Sequence, residues 1–211
     1  MLLLNIYNLY PGSWGSNCYL LVSEASDGQK QAAVVDPSAD ARDIVKALER
    51  LGARLSFILL THGHFDHVMA LDHLRDISGV PAYIHKDDAE MLPDGEKNAY
   101  SFFFGADRRW RPAERLLEDG DELILGNERI KVISTPGHSK GSICLHCGSF
   151  LLTGDTLFAN GYGRYDLHGG DRARLFESLS ALRGLDQGLT IYPGHGDSAR
   201  LGDALDNSFY F

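Results

Sequence analysis

The chain opens with short apolar or alternating runs, Ile6 to Tyr10, Cys18 to Ser23 and Gln31 to Val35, separated by Pro11-Gly12 and Asp27-Gly28. Runs of this length between turn residues predict three strands, the last ended by Asp36-Pro37. From Asp40 the spacing changes. Ile44, Val45, Leu48 and Leu51 share one helical face and Gly52 follows them, so a helix capped by Asp40 is predicted through about Leu51. Leu55 to Leu60 is continuously apolar and predicts a buried strand, with a helix from about Val68 to Ile77 and a strand at Ala82 to His85 behind it. Residues 86–112 follow neither period. They are polar but carry Phe102-Phe103-Phe104 and Trp110, and read as a helical or loop insertion near a site. Strand patterns return at Glu122 to Leu125, Ile130 to Ser134, Ile143 to His146 and Phe150 to Thr153. A helix at Arg172 to Leu182 then precedes a last strand at Leu189 to Tyr192. The order predicts an α/β chain of two sheets with helices on their outer faces. With no internal repeat and no low-complexity linker, it reads as one domain over 1–211.

Composition narrows the partners. The 211 residues are 44% hydrophobic and carry a formal net charge of -9. A field of that sign repels nucleic acid and anionic bilayers, which leaves a small-molecule substrate. Three cysteines, Cys18, Cys144 and Cys147, are too few and too uneven for a disulfide framework and suit a reducing compartment. The start, Met1 to Asn5, has no basic region or long apolar run of a secretion signal, and no stretch is apolar enough to span a membrane. A cytoplasmic location is the expectation.

The candidate chemistry lies in His62-Gly63-His64-Phe65-Asp66-His67, which offers four metal ligands, His62, His64, Asp66 and His67, directly after a predicted strand. Three more candidates occupy equivalent places. His138 follows Ile130 to Ser134 in Thr135-Pro136-Gly137-His138. Asp155 follows Phe150 to Leu152 in Thr153-Gly154-Asp155, and His195 follows Leu189 to Ile191 in Pro193-Gly194-His195-Gly196. Four strand ends followed by turns can gather at one edge of the sheets, where irregular backbone aims side chains at a common point. Imidazole and carboxylate without thiolate suit zinc, iron or manganese rather than a closed cysteine-rich site.

The succession HxHxDH, PGH, TGD and PGHG resembles the metallo-β-lactamase superfamily, and the resemblance runs from about residue 5 to 208. It implies an αββα sandwich of two mixed sheets with two divalent metal ions, zinc foremost and iron or manganese as alternatives. Carried over position by position, it puts His62, His64 and His138 on one metal and Asp66, His67 and His195 on the other, with Asp155 bridging. The chain is most similar to short glyoxalase II-like hydrolases, which cleave acylated glutathione thioesters. Gly161-Tyr162-Gly163-Arg164-Tyr165-Asp166, Leu201-Gly202 and Asn207 support that likeness. The turn after His138 reads Ser139-Lys140-Gly141 where relatives often have Thr-Pro-Gly, and Val68-Met69-Ala70 stands where a pair of glycines is common. Neither change removes a ligand.

A metal lowers the pKa of bound water from about 15.7 to about 7 and supplies hydroxide at neutral pH. With that nucleophile, the resemblance implies hydrolysis of a thioester such as an S-hydroxyacyl-glutathione. Asp66 would both ligate and orient the attacking oxygen or take its proton. Arg164 is the first candidate to bind a substrate carboxylate, against an internal salt bridge with Asp166; Lys140 and Tyr165 are further candidates. A mononuclear iron persulfide dioxygenase is the alternative on the same fold, although its last motif usually reads Ala-His-Asp. Lactone or β-lactam hydrolysis is another. Phe102 to Phe104 with Trp110 are expected to pack a lid or a homodimer contact, with an apolar pocket wall as the functional alternative. Cys144 and Cys147 lie in one predicted strand, pointing to opposite faces, and read as structural. His73, His85 and His168 read as surface or supporting groups.

Overall fold

Six strands of each half assemble into one sheet in the computed structural model, which describes residues 4–9 and 15–208. The first sheet orders β1 (Asn5–Asn8), β2 (Tyr19–Glu24), β3 (Lys30–Val35), β4 (Ala53–Leu59), β5 (Ala82–His85) and β6 (Arg115–Leu117) side by side. Its first three strands are antiparallel, and β3 to β6 run parallel. The second sheet holds β7 (Glu122–Leu125), β8 (Glu128–Ser134), β9 (Ile143–Cys147), β10 (Phe150–Gly154), β11 (Thr190–Pro193) and β12 (Ala199–Arg200), in the spatial order β12-β11-β10-β9-β8-β7. Only β10 and β11 pair in parallel. Both sheets are mixed, as expected. Tyr10 and Pro11-Gly12 of the predicted first strand and turn lie outside the described residues.

Alternation along the strands divides the apolar residues among three clusters. Tyr19, Leu21, Phe57 and Leu59 of the first sheet meet Val132, Leu145 and Leu152 of the second, which fills the space between the sheets. Leu20, Val34 and Ile58 point the other way, onto α1 (Ala41–Leu51) and α2 (Leu71–Ser78) through Ile44, Leu48, Leu71 and Leu74. Cys144, Leu151 and Ile191 pack likewise under α4 (Arg172–Leu182) and α5 (Leu201–Ser208). The result is an αββα sandwich. A fully buried Leu or Ile contributes about 1.5–3 kcal/mol, so these clusters supply the main driving force without any metal.

Local signals worked where they were strong. The Asp40 carboxylate accepts from Arg42 N at 2.8 Å, and Gly52 closes α1 with φ 62. Cys144 and Cys147 separate into the outer and inter-sheet clusters. Burial pushes the Cys144 thiol up to about 12 and raises that of Cys147 as well, which leaves them inert. Two expectations need correction, and three short elements were not anticipated. Helix α2 begins at Leu71 rather than Val68, because Phe65–His67 form a separate 3₁₀ turn and Ala70 N is tied to Pro37 O at 2.9 Å. The segment after 112 returns to the first sheet as β6, three residues whose Arg-Leu-Leu carries no alternation to read. Beyond His195 come β12 and α5, whose buried Leu201, Ala204, Leu205 and Ser208 have helical spacing over only two turns. Inside 86–112, α3 (Tyr100–Phe104) is the helical part. Trp110 is no lid: it is 3% exposed and belongs to the core under α1 and α2. No helix among the described residues is long and apolar enough to cross a membrane.

Candidate metal centre

The four predicted loops leave β4, β8, β10 and β11 at one edge of the sandwich. Bonds between them fix the edge: Ile143 N to Thr61 O at 3.0 Å joins the two sheets, and Gly194 N to Gly154 O at 2.7 Å joins two of the loops. The loops close to within van der Waals limits. A Cβ on Gly194 would stand 2.2 Å from Asp155 Oδ1 and 2.6 Å from His67 Cε1, so only glycine lets the last loop approach.

All seven candidate residues come together. His138 Nε2 lies 2.9 Å from His64 Nδ1 and 3.2 Å from His62 Nε2. His195 Nε2 lies 3.2 Å from Asp66 Oδ2, and His67 Nε2 is 3.6 Å from the same oxygen. Asp155 stands between the two trios, with His138 at 3.6 Å and His67 and His195 each at 3.4 Å. His62, His64 and His138 thus form one candidate ligand set, and Asp66, His67 and His195 another. His62, His67 and Asp155 make a third that spans them.

The hydrogen bonds behind the rings decide where their lone pairs point. Asp36 accepts from Thr61 N at 2.8 Å, from the Thr61 hydroxyl at 2.6 Å and from His67 Nδ1 at 2.9 Å. With its one hydrogen given to Asp36, the Thr61 hydroxyl accepts from His62 Nδ1 at 3.1 Å. His138 Nδ1 donates to the Arg164 carbonyl at 2.6 Å. A neutral imidazole with Nδ1–H carries its lone pair on Nε2. The Nε2 lone pairs of His62 and His138 therefore face each other at 3.2 Å inside the protein, where they repel unless a cation lies between them. His67 Nε2 and Asp155 Oδ1 are likewise buried without a hydrogen bond. Ligand atoms of a tetrahedral site with bonds of about 2.0–2.1 Å lie roughly 3.3 Å apart, which these spacings match. The donor set fits a divalent metal pair, with nitrogen and oxygen donors and no thiolate.

Electrostatics separate the two halves. Burial, together with the neighbouring imidazoles, pushes His62 well below its ordinary value, and His64 down to about 3. Burial acts on His67 and His195 in the same sense, but carboxylates outweigh it. Asp66, Asp155 and Asp36 hold His67 well above its ordinary value, and Asp155 and Asp66 hold His195 at about 9. Burial would raise the Asp66 and Asp155 carboxyls; His67 above all reverses this and holds both well below the usual range.

Several supporting residues carried no sequence signal. The Ser16 hydroxyl, fully buried, donates to Asp66 Oδ2 at 2.7 Å. Asn17 holds the His195 loop through Pro193 O and Gly196 O, both at 2.9 Å. Asp88 is buried behind the centre and accepts from Gly63 N at 3.1 Å, Gly141 N at 2.6 Å and the Ser139 hydroxyl at 2.6 Å. It so ties the loop of His62 and His64 to that of His138. Asp36 had been visible only as the residue ending β3; its φ of 52, a region Asp tolerates, turns its carboxylate under Thr61 and His67.

An open cavity of about 330 Å³ lies over the centre and is lined by His64, Asp66, His138, Asp155 and His195 together with Phe65, Ala99, Phe103, Phe158, Gly163, Arg164 and Leu167. Phe103 places the aromatic run in the pocket wall rather than clear of it. Arg164 reaches the cavity, but its fork is taken by Asp166, Nε to Oδ1 at 2.7 Å and Nη2 to Oδ2 at 2.9 Å. Lys140 and Tyr165 do not line it. The Lys140 ammonium is exposed 3.7 Å from Asp87, and Tyr165 packs against the core under α4. His85 bonds Ser134 at 3.2 Å, His168 pairs with Glu90 at 3.1 Å and His73 is exposed; none joins the centre.

Comparison with known proteins agrees with this geometry. Residues 11–195 match the family model described as the metallo-beta-lactamase superfamily. The chain is 33% identical over 184 residues to the Probable metallo-hydrolase YqgX of Bacillus subtilis (strain 168), covering 86% of this chain and 85% of the relative. Among solved structures it resembles the BLEG-1 B3 metallo-beta-lactamase with TM-score 0.88 and 34% identity, covering 97% of this chain and 99% of the other. It also resembles TTHA1623 in a di-iron-bound form, with TM-score 0.82 and 30% identity, over 97% of this chain and 100% of the other.

Proposed function

Since the chain belongs to the metallo-β-lactamase superfamily, we propose that it is a metal-dependent thioester hydrolase working from a two-metal centre. The observation that carries this reading is the seven-residue cluster at the floor of an open cavity whose lining, among the described residues, holds no serine, cysteine or lysine nucleophile. His62, His64 and His138 would hold one ion and Asp66, His67 and His195 the other, with Asp155 shared. When bound, such a pair supplies a water acidified to near neutral pH and a Lewis acid for the acyl oxygen. Zinc is the first expectation; iron is supported by the di-iron form of TTHA1623.

The chain's own residues do the rest. Asp66, held at Oδ2 by Ser16 and facing His195, orients the attacking water and takes its proton. The water oxygen bonds to the acyl carbon, the carbon–sulfur bond breaks, and the thiolate takes up the proton from Asp66. The carboxylic acid so formed loses its remaining proton to solvent, and the products are a carboxylate, a thiol and one proton.

Chelated protein reconstituted separately with zinc, iron and manganese should hydrolyse S-lactoylglutathione or a simple acyl thioester with at least one metal. Turnover unaffected by chelation would contradict the reading. A second reading, opening of a lactone or β-lactam ring, is favoured by the likeness to the BLEG-1 lactamase. Faster turnover of a chromogenic cephalosporin than of any thioester would establish it instead.

A further inference from the structure

Among the described residues, the cavity wall outside the candidate metal-binding carboxylates and imidazoles is apolar but for Gly163 and Arg164: Phe65, Ala99, Phe103, Phe158 and Leu167. Arg164 is the one arginine or lysine among them, and its charge is already answered. Asp166 holds one edge of the guanidinium, while its face lies 5.7 Å from the Phe102 ring and 5.8 Å from the Phe103 ring. A thiol carrier bearing carboxylates and an ammonium, such as glutathione, meets no unpaired cation in this wall. An apolar chain meets side chains that it would take out of water.

Phe103 is the member with most to lose to water. It lines the cavity yet stays 48% exposed, on a helix of five residues. That helix is aimed by Ala99, which has φ 67, a left-handed conformation rare for a residue with a side chain, and which itself lines the cavity. Strained backbone of this kind persists where the surroundings impose it, commonly at ligand clamps. Here it brings the Phe103 ring within 5.4 Å of Phe65, whose neighbours His64 and Asp66 belong to the centre. Phe158 closes the opposite side, its ring 6.0 Å from that of His195.

We propose that the substrate's acyl group is an apolar chain seated against Phe65, Phe103 and Phe158, and that Phe103 sets the preference for chain length. The inference rests on the thioester-hydrolase reading and narrows it: the scissile carbonyl sits over the metal-binding cluster while the chain runs along the aromatic wall. Each buried methylene is worth roughly fourfold in affinity.

The test uses metal-loaded protein and N-acetylcysteamine thioesters of acetate, butyrate and hexanoate, beside S-lactoylglutathione. The expected result is a kcat/KM that rises more than about tenfold from acetyl to hexanoyl, with S-lactoylglutathione below hexanoyl. In Phe103→Ala the hexanoyl-to-acetyl ratio should collapse to about threefold or less, and Phe103→Leu should restore part of it. Equal rates along the series, or S-lactoylglutathione as the best substrate, would overturn the inference and leave the hydrolase standing. Failure to cleave any of the four thioesters would overturn both.

Discussion

Asp66 is the residue on which two roles converge. It faces His67 and His195 as a candidate ligand and also lines the cavity, oriented by Ser16. Replacing it with Asn preserves one oxygen donor and the shape but removes the proton acceptor. Asp66→Asn should therefore retain most of its metal by elemental analysis and lose about 10²- to 10⁴-fold in kcat; a rate near wild type would remove Asp66 from the proton pathway. The imidazoles make a second prediction. Before metal enters, His67 and His195 are held above their ordinary values, so both carry a proton near neutral pH. Ligation needs them neutral, so loading at about pH 8 should release protons, and affinity should fall as pH is lowered. An indicator dye in weak buffer reads this directly, and metal uptake without proton release would contradict the assignment. The candidate ligands were legible because HxHxDH, PGH, TGD and PGHG are local patterns. Asp36, Thr61 and Ser16 were not, since what they do depends on partners brought close only by folding, such as Ser16 and Asp66, 50 positions apart.

At the scale of elements, the centre depends on how α4 meets the His138 loop. Asp171 N bonds Gly137 O at 2.8 Å at the start of α4. Gly137 has φ 140, and a Cβ there would stand 2.3 Å from both Cα and N of Leu175, so neither its conformation nor its space admits a side chain. Gly137→Ala should destabilise the fold by about 2–4 kcal/mol and weaken metal binding together, read by denaturant titration and dye competition. A stable variant with weakened metal binding would place the effect in the loop alone, and one with both intact would refute the packing argument. Strongly patterned elements such as α1, β5, β7 and α4 were readable. The three residues of β6 and the two of β12 were not, because so few positions cannot show alternation. Residues 86–112 resisted assignment because their chain is organised by tertiary bonds: Asn98 receives Phe65 N on its carbonyl and donates through its side chain to Arg108 O.

At the scale of the molecule, the candidate metal ligands lie at one edge and the core lies elsewhere. The three apolar clusters under, between and over the sheets fill without any of the seven ligand side chains. Chelated protein should keep its far-ultraviolet circular dichroism while losing activity, and metal should raise its melting temperature by linkage alone. This division explains why the fold was legible from hydrophobic periodicity and the site from motifs, by separate routes. It also leaves the account resting on one claim, that two ions act together. Thioester turnover should be followed while metal is added in known amounts to chelated protein. Turnover should be negligible without metal and rise to a plateau at two ions per chain. A plateau at one ion per chain, or full turnover with none, would contradict the two-ion centre.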